Sequence, residues 1–266
     1  MEPVVIYEKK EELAYITINR PEVYNALNTQ AKQGILESFR RASHDDEVKC
    51  IILTGAGRNA FSAGQDFNES HDIKPNNTKD WLDSFQPLYD EIRYCQKPTL
   101  CVVNGACAGS GFQLPLLCDI RLATPNARFG LTEVDAGYPT ITGSSLLWDH
   151  LGQSLTIEMS LTGRLLSAQE ALQHGLITKI IEWEDLDEEV TAYAKMLAQK
   201  PPTAIRTMKK WFRLIEEERY YRSFEYAEEA HYHGYASGEP KIWQEKFMAE
   251  HKARKEKKLS ETEQNL

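Results

Sequence analysis

The first fifty residues follow a strand pattern and then a helix pattern. Residues 3–8 and 13–19 alternate apolar and polar positions or run β-branched around a charged turn, which predicts a hairpin. Asn28 is a helix-capping residue type, and apolar residues then recur at three- and four-residue spacing as far as Ser43. The chain therefore begins with two predicted strands and an amphipathic helix.

The next predicted strand, residues 50–54, ends in two glycines, Gly55 and Gly57. This spacing invites a dinucleotide-binding interpretation. The glycines of a dinucleotide-binding turn open a helix, whereas residues 58–64 have no helical periodicity. The pattern argues against a dinucleotide site and leaves a glycine turn around Gly64.

A second and longer run of small residues contains Gly105, Gly109 and Gly111, between a predicted strand and a predicted buried helix. Such a run lets a ligand approach the main chain, and it leaves unpaired N–H groups at the start of the helix, where an oxyanion can bind. The alternative is that small residues only permit tight packing. The second glycine turn around Gly64 favours binding, because two backbone turns can share one ligand.

The rest of the chain repeats a rhythm of strand, turn and helix before it becomes helical. This rhythm predicts an α/β fold with right-handed crossovers. The most polar stretch, residues 68–80, is a candidate mobile flap over a substrate. Further elements are predicted as helices at residues 78–94, 167–175, 186–199 and 201–232, and as strands at residues 119–123 and 176–181.

Composition narrows the class of protein. The chain has 266 residues, 41% of them hydrophobic and 27% charged, and a net charge of −9, which argues against nucleic acid and anionic membranes as partners. Five cysteines without CxxC pairing predict buried, reduced thiols, and packing is the preferred role of Cys107. No apolar run is long enough to span a membrane, and no set of residues has metal-ligand spacing. We expect a cytoplasmic enzyme without a metal.

Four ordered fragments together resemble the crotonase, or enoyl-CoA hydratase/isomerase, superfamily over roughly residues 3–250. They are Asn19-Arg-Pro with Asn25-Ala-Leu, Phe61-Ser-Ala-Gly-Gln-Asp66, Gly105-Ala-Cys-Ala-Gly-Ser-Gly111 and Phe129-Gly-Leu-Thr-Glu133. The resemblance implies a crotonase-type spiral of ββα units over residues 1–200. It also implies a C-terminal helical trimerisation or lid region at 201–250. Residues 251–266 form a charged tail that we expect to be disordered.

The resemblance also implies a site for an acyl-CoA thioester, with coenzyme A as part of the substrate and no separate cofactor. The main-chain amides of Gln65 and Ser110 would form an oxyanion hole, and Glu133 would be the acid/base. The residues implied in contact with coenzyme A or substrate are Ala26, Ala63, Gly64, Asp66, Gly109 and Lys246. The implied assembly is a homotrimer or a dimer of trimers.

Gln113 departs from the two-glutamate pattern of the family's hydratases, because it stands where they have one of their glutamates. A glutamine binds water or substrate but transfers no proton at neutral pH, so hydration by two glutamates is in doubt. Isomerisation, hydration with a differently held water, hydrolysis, decarboxylation and carboxymethylproline-synthase-like chemistry all stay open. The alternative to an enzyme is a non-catalytic scaffold subunit of the same fold. An RNA-binding relative is disfavoured by the acidic balance.

Overall fold

The computed structural model describes residues 2–70 and 73–249. The predicted tail at residues 251–266 lies outside the described residues. The strands are β1 (Val5–Lys10), β2 (Leu13–Ile18), β3 (Cys50–Gly55), β4 (Ala60–Ser62), β5 (Thr99–Val103), β6 (Ala106–Ala108), β7 (Ile120–Ala123), β8 (Arg128–Gly130), β9 (Leu166–Ser167) and β10 (Lys179–Ile180).

The helices are mostly short in the first half of the chain and long in the second. The α-helices are α1 (Thr29–His44), α2 (Phe67–Ser70), α3 (Thr78–Asp83), α4 (Gln86–Tyr94), α5 (Ser110–Leu117), α6 (Ile141–Thr162), α7 (Ala168–Gln173), α8 (Leu186–Ala198) and α9 (Pro202–Ser237). Residues 239–249 are also helical. Short 3-10 helices lie at Pro21–Val23, Pro75–Asn77 and Glu133–Ala136.

Two sheets are built in alternation as the chain proceeds. The large sheet has the order β1-β2-β3-β5-β7-β10, and the small sheet has the order β4-β6-β8-β9. The large-sheet strands β3, β5 and β7 are each followed directly by a small-sheet strand, namely β4, β6 and β8. Each repeat therefore crosses from one sheet to the other, and the expected spiral is confirmed.

Side chains on both faces of the large sheet are buried. In β3, Ile51 and Leu53 join the main core, while Cys50 and Ile52 face a second cluster. That second cluster is closed by Val190 of α8. Burial on both faces explains why β3 and β5 read as continuous apolar runs rather than as alternating ones.

Several predicted boundaries agree with the structure and others are wrong. The hairpin, α1 and β3 lie where they were expected, and Asn28 caps α1 through a bond from Ala31 N of 2.9 Å. The predicted helix at residues 78–94 is two helices, because Pro87 stands in the first turn of α4 and cannot continue a helix from α3.

The second wrong boundary is the predicted strand at residues 176–181. Only Lys179 and Ile180 form β10, because Leu176 N bonds the Ala171 carbonyl and prolongs the turn after α7. The third lies in the glycine-rich run, which contains the strand β6 as well as a turn. Small residues there serve strand pairing, since Cys107 is buried in register with Phe129 of β8.

Helix α9 has 36 residues, so it is about 54 Å long. It extends beyond the predicted end at residue 232. Its two halves face different surroundings. Tyr220, Phe224 and His231 in the second half are buried against the body of the protein. In the first half, Trp211 and Ile215 are 61% and 64% exposed.

Candidate active site

The two predicted glycine turns touch each other at the ends of β4 and β6, two neighbouring strands of the small sheet. The Gly64 turn (residues 63–66) follows β4, and the Gly109 turn (residues 108–111) joins β6 to α5. A β-carbon added at Gly111 would lie 2.5 Å from the Ser62 carbonyl oxygen and 2.8 Å from the Gly64 nitrogen. Gly64 has a φ of +89°, and a β-carbon there would lie 2.8 Å from the Ala108 carbonyl oxygen. The two main chains can approach so closely because they carry no side chain at these positions.

The main-chain N–H groups of Gln65 and Ser110 have no hydrogen-bond partner within residues 2–70 and 73–249. Leu27 pairs with the Gly64 turn by donating to Gly64 O at 2.7 Å and accepting from Asp66 N at 3.2 Å. Successive residues of an extended chain point in opposite directions, so the N–H of Gln65 faces away from Leu27. Ser110 is the first residue of α5, and the N–H of a first helical residue has no acceptor within its helix. The turns thus supply two free donors for an oxyanion.

Glu133 lies against the Gly109 turn. It begins the 3-10 helix Glu133–Ala136, and two residues separate it from the end of β8. A β-carbon added at Gly109 would lie 3.7 Å from the Glu133 carboxyl carbon and 3.8 Å from its Oε1. A side chain at position 109 would therefore contact the carboxylate. The glycine leaves that face of the turn open beside Ser110.

The carboxylate of Glu133 is buried, although the residue as a whole is partly exposed. Oε1 accepts a hydrogen bond from Gln113 Nε2 at 3.1 Å, and Oε2 is buried with no partner among the described residues. Burial raises the pKa of Glu133 to about 7, and interactions with its own main-chain N–H, the Thr140 hydroxyl and the Gln113 amide oppose part of this rise. A carboxyl group with a pKa near neutrality can both accept and return a proton.

Gln113 is held between Glu133 and Tyr89. The Tyr89 hydroxyl donates to Gln113 Oε1 at 3.0 Å, so the amide oxygen faces Tyr89 and the amide nitrogen faces Glu133. Burial raises the pKa of Tyr89 well above its ordinary value, with the Glu133 charge adding to the rise, so Tyr89 stays a donor. A β-carbon at Gly143 of α6 would lie 2.9 Å from the Gln113 nitrogen. Gln113 is therefore fixed in place as a donor to Glu133.

The role of the whole predicted set of coenzyme A residues stays a prediction. Four of them lie in or beside the Gly64 turn, namely Ala26, Ala63, Gly64 and Asp66. The Asp66 carboxylate forms an ion pair with Arg20 at 2.8 Å, and Arg20 also donates to the Ala26 carbonyl at 2.6 Å. Ala63 is exposed. Lys246 is also exposed, with Nζ 4.5 Å from the centre of the Trp243 ring. The Asp66 side chain is thus engaged within the protein and leaves main-chain atoms for ligand contact.

Other candidate groups lie away from the turns or are unreactive. Asp135, in the same 3-10 helix as Glu133, is exposed beside Gly163 at the end of α6. All five cysteines are buried free thiols, and burial raises the pKa of Cys107 well above its ordinary value, so the packing role is confirmed. Within the described part of the chain, no three His, Cys, Asp or Glu residues are placed to hold a metal, and no helix could cross a membrane.

Tyr89 is the member of this site that the sequence did not reveal. In the sequence, Tyr89 is one apolar-face position of a predicted helix, with the same periodicity as Phe85 and Ile92. Its contact with Gln113 joins α4 to α5, which are separated by two strands in the chain. Only the three-dimensional packing of these helices brings the hydroxyl to the amide.

Comparison with solved structures defines the class of fold. The structure matches an enoyl-CoA hydratase/isomerase from Pseudoalteromonas atlantica T6c with a TM-score of 0.84 and 27% identity, covering 93% of this chain and 97% of that one. It matches an enoyl-CoA hydratase from Bacillus halodurans with a TM-score of 0.83 and 28% identity, covering 91% and 99%. The protein therefore has the crotonase fold.

Sequence comparison gives the family. The family model for enoyl-CoA hydratase/isomerase matches residues 8–255. The (E)-benzylidenesuccinyl-CoA hydratase of Thauera aromatica is 32% identical over 206 residues, covering 77% of this chain and 80% of that protein. The 2,3-dehydroadipyl-CoA hydratase of Escherichia coli K12 is 31% identical over 215 residues, covering 80% and 83%. The chain belongs to the enoyl-CoA hydratase/isomerase family and is an acyl-CoA enzyme.

The raised pKa of Glu133 predicts a pH dependence of stability. The folded protein retains this proton up to a pH of about 7, whereas the unfolded chain releases it near the ordinary value of 4.5. The free energy of unfolding therefore falls as the pH rises through this window. Glu133→Gln removes the contribution, so the melting temperature of the variant minus that of the wild type should increase from pH 5 to pH 8. A difference that does not change with pH would contradict a buried carboxyl with this pKa.

Proposed function

We propose that this protein catalyses proton transfer at the carbon next to the thioester of an acyl-CoA, with Glu133 as the single acid/base. The observation that supports this most directly is the position of the Glu133 carboxylate against the Gly109 turn. A β-carbon added at Gly109 would lie 3.8 Å from Glu133 Oε1. The thioester oxygen would bind the N–H groups of Gln65 and Ser110 as it gains negative charge. Each such donor contributes about 10²–10³ to the rate of comparable reactions.

The reaction that this site supports best is a shift of the double bond within an enoyl-CoA. One carboxyl group suffices for it, because the same group removes a proton from one carbon and returns it to another. Gln113 adds no second acid/base, since its amide is held by Tyr89 and Glu133. Hydration is the second candidate, favoured by the hydratase names of the relatives. It would require Glu133 to activate the water unaided.

Coenzyme A binds in this proposal as part of the substrate, without a separate cofactor. Main-chain atoms near Ala26, Ala63 and Asp66 would hold its pantetheine and adenine portions, and Lys246 would meet a phosphate. The ion pair of Arg20 with Asp66 supports this arrangement, because it fixes the segment that leads into the Gly64 turn. The exposed ammonium of Lys246 is accessible to a phosphate group.

Glu133→Gln tests the proposal. The variant retains size and hydrogen bonding but has no titratable proton, so turnover should fall by about 10²–10⁴. Binding of a non-reactive acyl-CoA should persist, because the thioester is held by main-chain donors. Steady-state kinetics on a panel of enoyl-CoA esters gives the rate, calorimetry gives the affinity, and mass spectrometry separates hydrated from isomerised product.

Asp135→Asn is the matched control and should retain turnover. If Glu133→Gln retains full turnover while Asp135→Asn loses it, the acid/base has been assigned to the wrong carboxylate. Loss of affinity together with turnover in Glu133→Gln would indicate a structural role for this side chain. A folded wild type that binds acyl-CoA and turns over none of the panel would favour the scaffold alternative.

We propose that the protein assembles as a homotrimer or as a dimer of trimers. The first half of α9 supports this proposal, because it presents an unusually apolar surface to solvent for a folded chain. Its exposed side chains are Met208, Trp211, Phe212, Leu214 and Ile215. The opposite side of this half of the helix is fixed to the same chain through the ion pair of Lys209 with Asp119.

Sedimentation at micromolar concentration tests the assembly. The wild type should sediment with the mass of three or six chains. A variant with both Trp211→Glu and Ile215→Glu should sediment as a monomer, because two charges would be buried without partners in the interface. A monomeric wild type would overturn the proposal.

A further inference from the structure

Lys32 of α1 is a buried cation outside the proton-transfer site described above. Only 5% of the residue is exposed. Its Nζ lies 2.8 Å from Ser84 Oγ, 3.5 Å from Gln65 Oε1 and 4.3 Å from the centre of the Phe85 ring. An ammonium has three N–H donors. Two neutral acceptors therefore leave at least one donor without a partner in the part of the chain that the structure describes.

No carboxylate of residues 2–70 and 73–249 forms an ion pair with Lys32. The nearest acidic influence is Glu69, whose two oxygens accept bonds from Thr29 N at 2.9 Å. Glu69 is thus engaged with the start of α1. Burial lowers the pKa of Lys32 to about 8, which still leaves it largely protonated at neutral pH. A buried positive charge without a counter-ion is unfavourable, and a bound anion would relieve this cost.

Lys32 contacts two residues, Gln65 and Phe85, that connect it to the proposed site. Gln65 provides one of the two free N–H donors, and its side chain faces the Lys32 ammonium. The Phe85 ring packs edge-on against Tyr89 at 5.7 Å between ring centres, and Tyr89 bonds Gln113 beside Glu133. Lys32 and Glu133 are therefore joined by a row of contacting side chains that runs through Phe85, Tyr89 and Gln113.

We propose that Lys32 is the counter-ion for a carboxylate carried by the acyl group, so that the substrate is the coenzyme A monoester of a dicarboxylic acid. The proposal rests on the function proposed above. If the thioester oxygen binds the Gln65 and Ser110 amides, an acyl chain that follows this row of side chains would bring its far end to Lys32. The carboxylate would take the free N–H of the ammonium and form a charge-assisted hydrogen bond.

Lys32→Met tests the proposal, because methionine preserves much of the length and removes the charge. The substrates are 2,3-dehydroadipyl-CoA and trans-2-hexenoyl-CoA, which share a six-carbon chain and differ in the terminal carboxylate. The wild type should prefer the acid. In Lys32→Met, kcat/KM for the acid should fall by about 10²-fold, as expected when one partner of a buried charge pair is removed. For hexenoyl-CoA it should change by less than about threefold. Lys10→Met, an exposed position on β1, is the matched control and should change neither value.

A binding measurement separates this proposal from the proposed function. Calorimetry with the saturated esters adipyl-CoA and hexanoyl-CoA requires no catalysis. Lys32→Met should weaken the binding of adipyl-CoA and leave the binding of hexanoyl-CoA unchanged, even if Glu133 proves to have another role. Equal effects on both esters, or a wild type that does not prefer the acid in binding, would overturn the role of Lys32. The proposed function would then stand or fall on Glu133→Gln by itself.

Discussion

The contact between the Gly64 turn and the start of α5 is the constraint on which the site depends. A β-carbon at Gly111 would stand 2.5 Å from the Ser62 carbonyl oxygen, so this approach exists only with glycine. The spiral makes the approach possible, because β4 and β6 are parallel neighbours and their ends meet at one edge of the small sheet. The approach brings Ser110 N within 3.3 Å of a β-carbon position at Gly64, the neighbour of Gln65, although Gln65 and Ser110 are 45 positions apart in the chain.

A second electrostatic relation gives this pair of donors its chemical use. Burial disfavours the charged form of Glu133, and Gln113 supplies one hydrogen bond that favours it. In the proposed reaction, the carboxylate would accept a proton from the acyl group, and negative charge would move from Glu133 to the thioester oxygen. The free amides would then stabilise that charge, so each group would be suited to one side of the same transfer. Tyr89 holds the Gln113 amide in the orientation that this arrangement needs.

The sequence predicts the elements whose signals are local. Asn28 caps α1 as expected, and the spacing of glycines around positions 64 and 109 indicates the two turns before any coordinates are known. The prediction of one helix at residues 78–94 is wrong. The apolar periodicity continues across Pro87, although the proline separates α3 from α4. The α/β class followed from the rhythm of elements, while the spiral itself came from resemblance.

The contacts that the sequence could not reveal join distant elements. The spacing of Lys32 places it on the buried face of α1, because it stands three, four and seven positions before Ile35, Leu36 and Phe39. Its hydrogen-bond partner Ser84, 52 positions away in the chain, depends on how the segment between α3 and α4 packs against α1. The ion pair between Asp66 and Arg20 likewise joins segments that are 46 positions apart. Side-chain partners of this kind depend on tertiary packing rather than on residue type or period, and they decide which groups remain free for a ligand.

Exchange of the hydrogen next to the thioester is the most direct test of the central claim, that the two amides and Glu133 together form an enolate. A saturated acyl-CoA incubated with the enzyme in deuterated water gains deuterium at this carbon only if the proton is removed and returned. Mass spectrometry should show enzyme-dependent deuterium uptake by the wild type, and uptake should fall by about 10²-fold or more in Glu133→Gln. Uptake at the wild-type rate in the variant, or none with the wild type although the ester binds, would contradict this account.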